Sequence, residues 1–423
     1  MTWTKEQRSV ALASYLGWTL DAFDFFLMVF VLKDIAKAFG TEITSVTVAI
    51  TLTLALRPLG ALIFGRLADR FGRRPVLMAN VLLFSLFDLA SGFATSLTML
   101  LVLRSLFGVA MGGEWGVGSA LTMESIPPKS RGLMSGILQA GYPSGYLLAS
   151  IVFGLLHDSI GWRGMFMIGV APALLVLFIR RNVPESPAWE RGRATERPSI
   201  FAVLAREWKL ALYMIVLMTA FNFFSHGTQD MYPTFLTVQH KFSTHTVSLI
   251  AITYNIGAII GGVLFGSLSE KIGRRKAIAG AALLALPVLP LWAFASGSVA
   301  LAIGAFLMQI SVQGAWGVIP AHLNEMSPPE VRATFPGLVY QLGNLFASAN
   351  ATIQASIAHR HGDNYGLAMA IVAGIVSIVI AALIGFGREQ RGMRMGTDGA
   401  QGADWAPPQP SLAGAGTAGS TGR

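Results

Sequence analysis

The sequence predicts an all-α integral membrane protein: twelve transmembrane helices in two six-helix, pseudo-symmetric halves. Composition is the first reason. Of 423 residues, 53 % are hydrophobic and 13 % are Asp, Glu, Lys or Arg, against roughly 25 % charged residues in soluble domains. The second reason is the recurrence of apolar stretches of spanning length with short polar breaks. The third is an internal repeat at one fixed offset.

Spans are read at residues 10–32, 44–65, 75–94, 97–119, 131–156 and 163–181, then 208–237, 245–267, 276–296, 299–321, 332–357 and 366–387. Each can cross ~30 Å of hydrocarbon at ~1.5 Å per residue. Lipid cannot satisfy exposed backbone groups, so such uniformly apolar segments must be helical. The first run is too long for a cleavable signal, carries Asp21 and Asp24, and lacks a small-residue cleavage pattern.

A net charge of +9 invites a nucleic-acid reading, but the placement of the basic residues argues otherwise. On this span assignment 24 of the 31 lysines and arginines lie on the side of the two termini and five on the other, with Arg57 and Arg104 inside spans. The termini are therefore expected in the cytoplasm of a cell membrane. The absence of cysteine excludes disulfides, thiolate metal sites and a Cys nucleophile.

The repeat appears as GRLADRFGRR from Gly65 and GSLSEKIGRR from Gly266, an offset of 201 residues. The same offset relates Trp115 to Trp316, Glu124 to Glu325 and Arg131 to Arg332. Agreement at one register points to duplication. The expected organisation is a first bundle over 1–181, a cytoplasmic linker over 182–207, a second bundle over 208–387 and a disordered tail over 388–423.

Two six-helix halves with G-x-L-A-D-R-x-G-R-R after the second helix resemble the major facilitator superfamily, from about residue 10 to 387. RSLFGVAMGG from Arg104 and VPESPAWE from Val183 agree with it. DAFDFF in the first helix and GGEWG at Gly112–Gly116 resemble its metabolite–proton and sialate–proton symporter branches. NFFSHGTQDMYPT matches the lactate/pyruvate–proton symporter signature at Asn222, Ser225, His226, Thr228, Gln229, Asp230 and Thr234. The resemblance implies proton-coupled uptake of a short monocarboxylate by a transporter, with a small carboxylate, protons and the bilayer as partners. It also implies an inner gate of Asp69, Arg73, Glu270 and Arg274, joined by Glu124, Arg131, Glu325 and Arg332. Topology signal alone is the alternative for the loop arginines.

Ionisable groups inside spans are few because each costs several kcal/mol in hydrocarbon unless paired or wet. Asn222, His226 and Asp230 share one helical face, with Gln229 beside them, so the stripe faces a cavity or a neighbouring helix. His226, Asp230 and Asp24 are the proton-coupling candidates, since imidazole titrates near neutrality and a desolvated carboxyl approaches it. Arg57 is the first choice for the substrate carboxylate, because its fork matches a carboxylate in two hydrogen bonds; a permanent salt bridge to Asp21 or Asp24 is the alternative. Asn222, Gln229, His226, Tyr142 and Tyr340 complete the expected binding set, with Asn344 nearby and ordinary interhelical bonding as the rival account of the tyrosines. Arg104 is expected in a structural or proton-coupling role, and Asp88 and Glu114 as internal pairing partners.

No ATP-binding loop, HExxH or triad-like cluster appears, so an enzyme and ATP-driven transport are not expected, nor is a cofactor or metal. A monomer is expected. The rivals are symport of a larger organic acid, sialate or aromatic, and a drug–proton antiporter of the same fold.

Overall fold

A computed structural model describes residues 3–192, 198–393 and 395, apart from the side chains of residues 43, 44 and 244. Most of the expected disordered tail, at 394 and 396–423, lies outside the described residues, as do residues 193–197 of the linker. The described chain is helical, with ten stretches long and apolar enough to cross a membrane. The stretch Pro128–Asn182 runs for 55 residues, far more than one crossing needs, and Gly161 breaks it with φ 63° and ψ −177°. It therefore holds the fifth and sixth helices. The eleventh helix, in two pieces at Phe335–Ala347 and Asn350–Arg360, is absent from those ten stretches because Gln341, Asn344, Asn350 and Gln354 lower its hydropathy. Among the described residues the spanning helices thus number twelve.

In the first half the helices are Lys5–Phe30, Ile43–Phe71, Arg73–Gly92, Leu97–Ser125, the fifth from Arg131 to the Gly161 break, and the sixth from there through Ala173–Asn182. The second half repeats them as Trp208–Gln229, Thr244–Ile272, Arg274–Ala293, Ser298–Trp316 continued by Ile319–Met326, the divided eleventh, and Tyr365–Phe386. Short helices Pro187–Arg191 and Ile200–Arg206 lie between the halves. Thr4 and Gln7 close a capping box on the first helix, and Ser96, Ser243 and Asn364 cap the fourth, eighth and twelfth by accepting a backbone N–H.

Two glycines make the tight turns of the repeated loops: Gly72 at φ 113° and Gly273 at φ 98°, a region side chains with a Cβ rarely enter. The packing repeats as well. A Cβ on Gly60 would stand 1.9 Å from the Val109 carbonyl oxygen, and one on Gly261 2.5 Å from that of Ile310. The second and fourth helices, and their copies the eighth and tenth, therefore meet backbone to backbone, as small residues allow in a bilayer.

Candidate functional site

The close approach of the second and fourth helices sets the site. A Cβ on Gly112 would stand 2.1 Å from the Arg57 carbonyl oxygen, so the two backbones meet at Arg57, whose side chain turns into the interior beside Met111 and Phe25. It is buried there, 4 % exposed. Its Nη2 donates to Met111 Sδ at 2.7 Å, and the guanidinium lies 5.2 Å from the Phe25 ring centre. Nε has no partner. Among the described residues no carboxylate oxygen comes within 4.0 Å of Arg57, so the permanent salt bridge to Asp21 or Asp24 is not formed.

Arg104 is the opposite case. It pairs with Asp88, donates to Ser91 Oγ through Nε at 3.2 Å and Nη2 at 3.0 Å, and lies over Phe107 and Phe166 at 4.2 and 4.9 Å. Its fork is filled by its own neighbours, and Asp88 is the expected internal partner. Glu114 is not in an ion pair, which corrects that part of the expectation. Its carboxyl rests against the first helix, where a Cβ on Gly17 would stand 2.5 Å from Oε1, and Oε2 has no partner. Asp21 and Asp24 are fully buried, and none of their four carboxylate oxygens is hydrogen-bonded.

The seventh-helix stripe divides. Asn222 is buried and donates to the Met218 carbonyl at 2.8 Å. His226 joins Asp230 through Nδ1 at 3.2 Å and Asn344 of the eleventh helix through Nε2 at 3.0 Å. The His226 and Asp230 side chains are 32 % and 36 % exposed, so this pair is wet. Gln229 turns to the tenth helix, bonding Ser225 Oγ at 3.3 Å and Gln309 Oε1 at 3.1 Å. Gln309, which in turn donates to Thr228 Oγ1, carried no motif that could have marked it.

Aromatic rings bring the two halves together around Arg57. Tyr142 of the fifth helix packs on Trp18 and Phe26, with ring centres 5.7 and 5.4 Å apart. Tyr340 of the eleventh lies between Trp115 and Trp316, the repeat-related tryptophans, at 4.8 and 5.5 Å. Tyr142 lies within charge-interaction range of Arg57, Asp21, Tyr340 and Asp230, and His226 within range of Arg57. Charge, amide, imidazole and phenol groups therefore converge on one central region.

Below it, at the end carrying the basic loops, the halves lock. Arg73 forks onto Glu124 with two 3.0 Å bonds and reaches Asp69 at 3.2 Å; Arg274 does the same to Glu325 at 3.0 Å twice and Glu270 at 3.2 Å. Asp69 then crosses the seam, accepting from Ala333 N at 3.0 Å, Thr334 N at 3.2 Å and Thr334 Oγ1 at 2.5 Å. Its copy Glu270 accepts from Gly132 N. Arg131 approaches Glu325 at 3.9 Å, and Arg332 lies within charge range of Glu124 and Asp69. Ser119 with Asn324 and Ser135 with Ala321 N add bonds across the seam at 3.2 and 3.0 Å. At the opposite end, His157–Asp34 and Gln239–Gly366 each stay within one half.

Glu185 and Glu389 were missed as a pair. Glu185 accepts from the backbone N–H of Arg73 and Arg74, and Glu389 from that of Arg275 at 3.1 Å. Both cap a helix that begins at a motif glycine. Their spacing departs from the 201-residue offset, which is why a search at one register passes over them.

The family model of the Major Facilitator Superfamily matches residues 11–243 and 215–413. The chain belongs to that superfamily; it is a multi-pass membrane transporter and not an enzyme. It is 29 % identical to a carboxylic acid transporter protein homolog of Saccharomyces cerevisiae over 92 % of this chain and 69 % of that one. Identity to the sialic acid transporter NanX of Escherichia coli is 29 %, covering 90 % and 94 % of the two chains. Identity to a probable 4-methylmuconolactone transporter of Cupriavidus pinatubonensis is 31 %, covering 90 % of each. In fold it is similar to the proton:xylose symporter XylE, with a TM-score of 0.75 at 20 % identity over 92 % and 97 % of the chains.

Proposed function

We propose that this transporter takes up a short monocarboxylate such as lactate or pyruvate together with a proton, by alternating access. The open fork of Arg57 carries the proposal. A buried guanidinium that no carboxylate bonds directly retains donors matched to a bidentate anion. The complete seventh-helix signature supports it, as do relatives named for carboxylic acid, sialic acid and methylmuconolactone transport. In this proposal Tyr142, Tyr340, Asn222 and His226 line the substrate's surroundings, Gln229 holds the seventh helix to the tenth, and Asp24, His226 and Asp230 lie along the proton's path. With the termini cytoplasmic, the locked basic end is the closed inner gate and the wet end opens outward.

A second proposal, a larger planar or sialate-like acid, is favoured by the aromatic lining of Trp18, Tyr142, Trp115, Trp316 and Tyr340. Reconstituted vesicles given radiolabelled L-lactate, pyruvate, cis,cis-muconate or N-acetylneuraminate separate the two. Lactate or pyruvate should accumulate faster when the outside is acidified, and a protonophore should abolish accumulation. Uptake that ignores the proton gradient and follows sodium would overturn the proposal.

A further inference from the structure

Resting on Arg57 as the carboxylate site, we infer that Asp21 and Glu114 form a buried carboxyl pair that receives the coupled proton when the substrate reaches Arg57. Gly17 and Asp21 are one helical turn apart on the first helix, so the Glu114 carboxyl lodged against Gly17 lies beside Asp21. Glycine at position 17 leaves the space that this carboxyl fills. Asp21 is wholly buried with both oxygens unpartnered; Glu114 is 1 % exposed with Oε2 unpartnered.

The groups facing Asp21 are Arg57 from the second helix, Asp24 from the first, Tyr142 from the fifth and Tyr340 from the eleventh, and the charged group facing Glu114 is Asp21. Arg57 thus faces Asp21, and Glu114 faces Asp21 with no cation of its own. A buried carboxylate without a countercharge is neutralised by a proton, so the empty site holds one negative charge, opposite Arg57, and one carboxylic acid. When a substrate carboxylate forks onto Arg57, it takes over the role of countercharge. The remaining negative charge on the pair then has no partner, and it takes a proton from water on the open side. One anion and one proton enter, one O–H bond forms at the pair, no bond of the substrate breaks, and the charge of the site is unchanged. Release runs the same exchange backwards.

The other acids are placed differently. Asp88 is held by Arg104, and Asp24 has Asp88 and Arg104 as charged neighbours besides Asp21. His226 and Asp230 satisfy each other and are wet, which suits delivery of the proton rather than exchange against the substrate.

The test measures binding by the purified full chain in nanodiscs across pH, using whichever of L-lactate, pyruvate, cis,cis-muconate or N-acetylneuraminate the wild type binds. Wild-type affinity should fall about tenfold per pH unit above the pair's titration, since one proton is linked to one anion. The double variant Asp21→Asn, Glu114→Gln should lose this dependence and gradient-driven accumulation, while still exchanging labelled for unlabelled substrate. Each single variant retains one acid and should keep the tenfold slope with a displaced midpoint. That readout also stands if the double variant does not fold. A double variant that still accumulates substrate, or single variants with unmoved midpoints, would overturn the pair while leaving Arg57 in place. If no acid binds the wild type, or Arg57→Lys leaves affinity unchanged, the Arg57 site falls and the pair with it.

Discussion

The two halves share one frame and differ in what fills it. At the basic end they are near copies: Arg73 with Glu124 and Asp69, Arg274 with Glu325 and Glu270, in matching forks of 3.0 Å. In the membrane interior the likeness stops. The positions 201 residues beyond Arg57, Asp88, Arg104 and Glu114 hold Ala258, Leu289, Ala305 and Ala315, and those beyond Asp21 and Asp24 hold Asn222 and Ser225. Ends that must close against each other need equivalent locks, whereas the proposed transport of one anion with one proton needs only one buried charged site. Ionisable groups are expensive in hydrocarbon, so the first half carries the fully buried ones, and the second meets them with amide and phenol groups and the wet His226–Asp230 pair.

The largest expected effects test the likeness. Arg73→Ala strands the buried carboxylates of Glu124 and Asp69, and Arg274→Ala the buried carboxylate of Glu325 and the half-buried one of Glu270. Removing one partner of a buried pair costs about 3–5 kcal/mol, so each should lower thermal unfolding in detergent by a similar amount. A large effect from one and none from the other would break the symmetry of the locks.

Arg57→Lys tests the difference. The charge stays and the fork goes, so one charge-assisted bond of about 1.5–3 kcal/mol is lost. Uptake at limiting substrate should fall by about 10-fold to 100-fold, with the protein still monodisperse and inserted. Normal affinity in this variant would mean that the charged half does not read the carboxylate through Arg57.

The smallest effect belongs to a neutral side chain of the second half. Asn222→Ala removes an amide that has one of its two N–H donors on the Met218 carbonyl, which leaves the other N–H and the oxygen to serve a ligand. One neutral hydrogen bond contributes about 0.5–1.5 kcal/mol, and the half-saturating concentration should rise about 2-fold to 10-fold with proton coupling retained. Loss of coupling would extend the charge-handling role of the second half from His226 and Asp230 to Asn222.

Much of this was legible in the chain because its causes are local or repetitive. Lipid forces backbone bonds inside each segment, so hydropathy and length mark the spans. Duplication leaves a register, so Asp69, Arg73, Glu270 and Arg274 declare themselves with their partners Glu124 and Glu325. The Asn222–His226–Asp230 stripe follows from helical spacing alone. Tertiary structure decided what local spacing cannot hold. Arg57 and Arg104 look alike as arginines in apolar helices, and only the packing of the first four helices shows that Asp88 and Ser91 fill one fork while Met111 and Phe25 leave the other open. Glu114 reads as a pairing partner until Gly17 is seen to seat it beside Asp21. Gln229 reads as part of the binding stripe until Gln309 claims it. A side chain's charge and face are written in its own helix, but its partner stands on another helix, and the distance between them is set by how closely the glycines let the backbones approach.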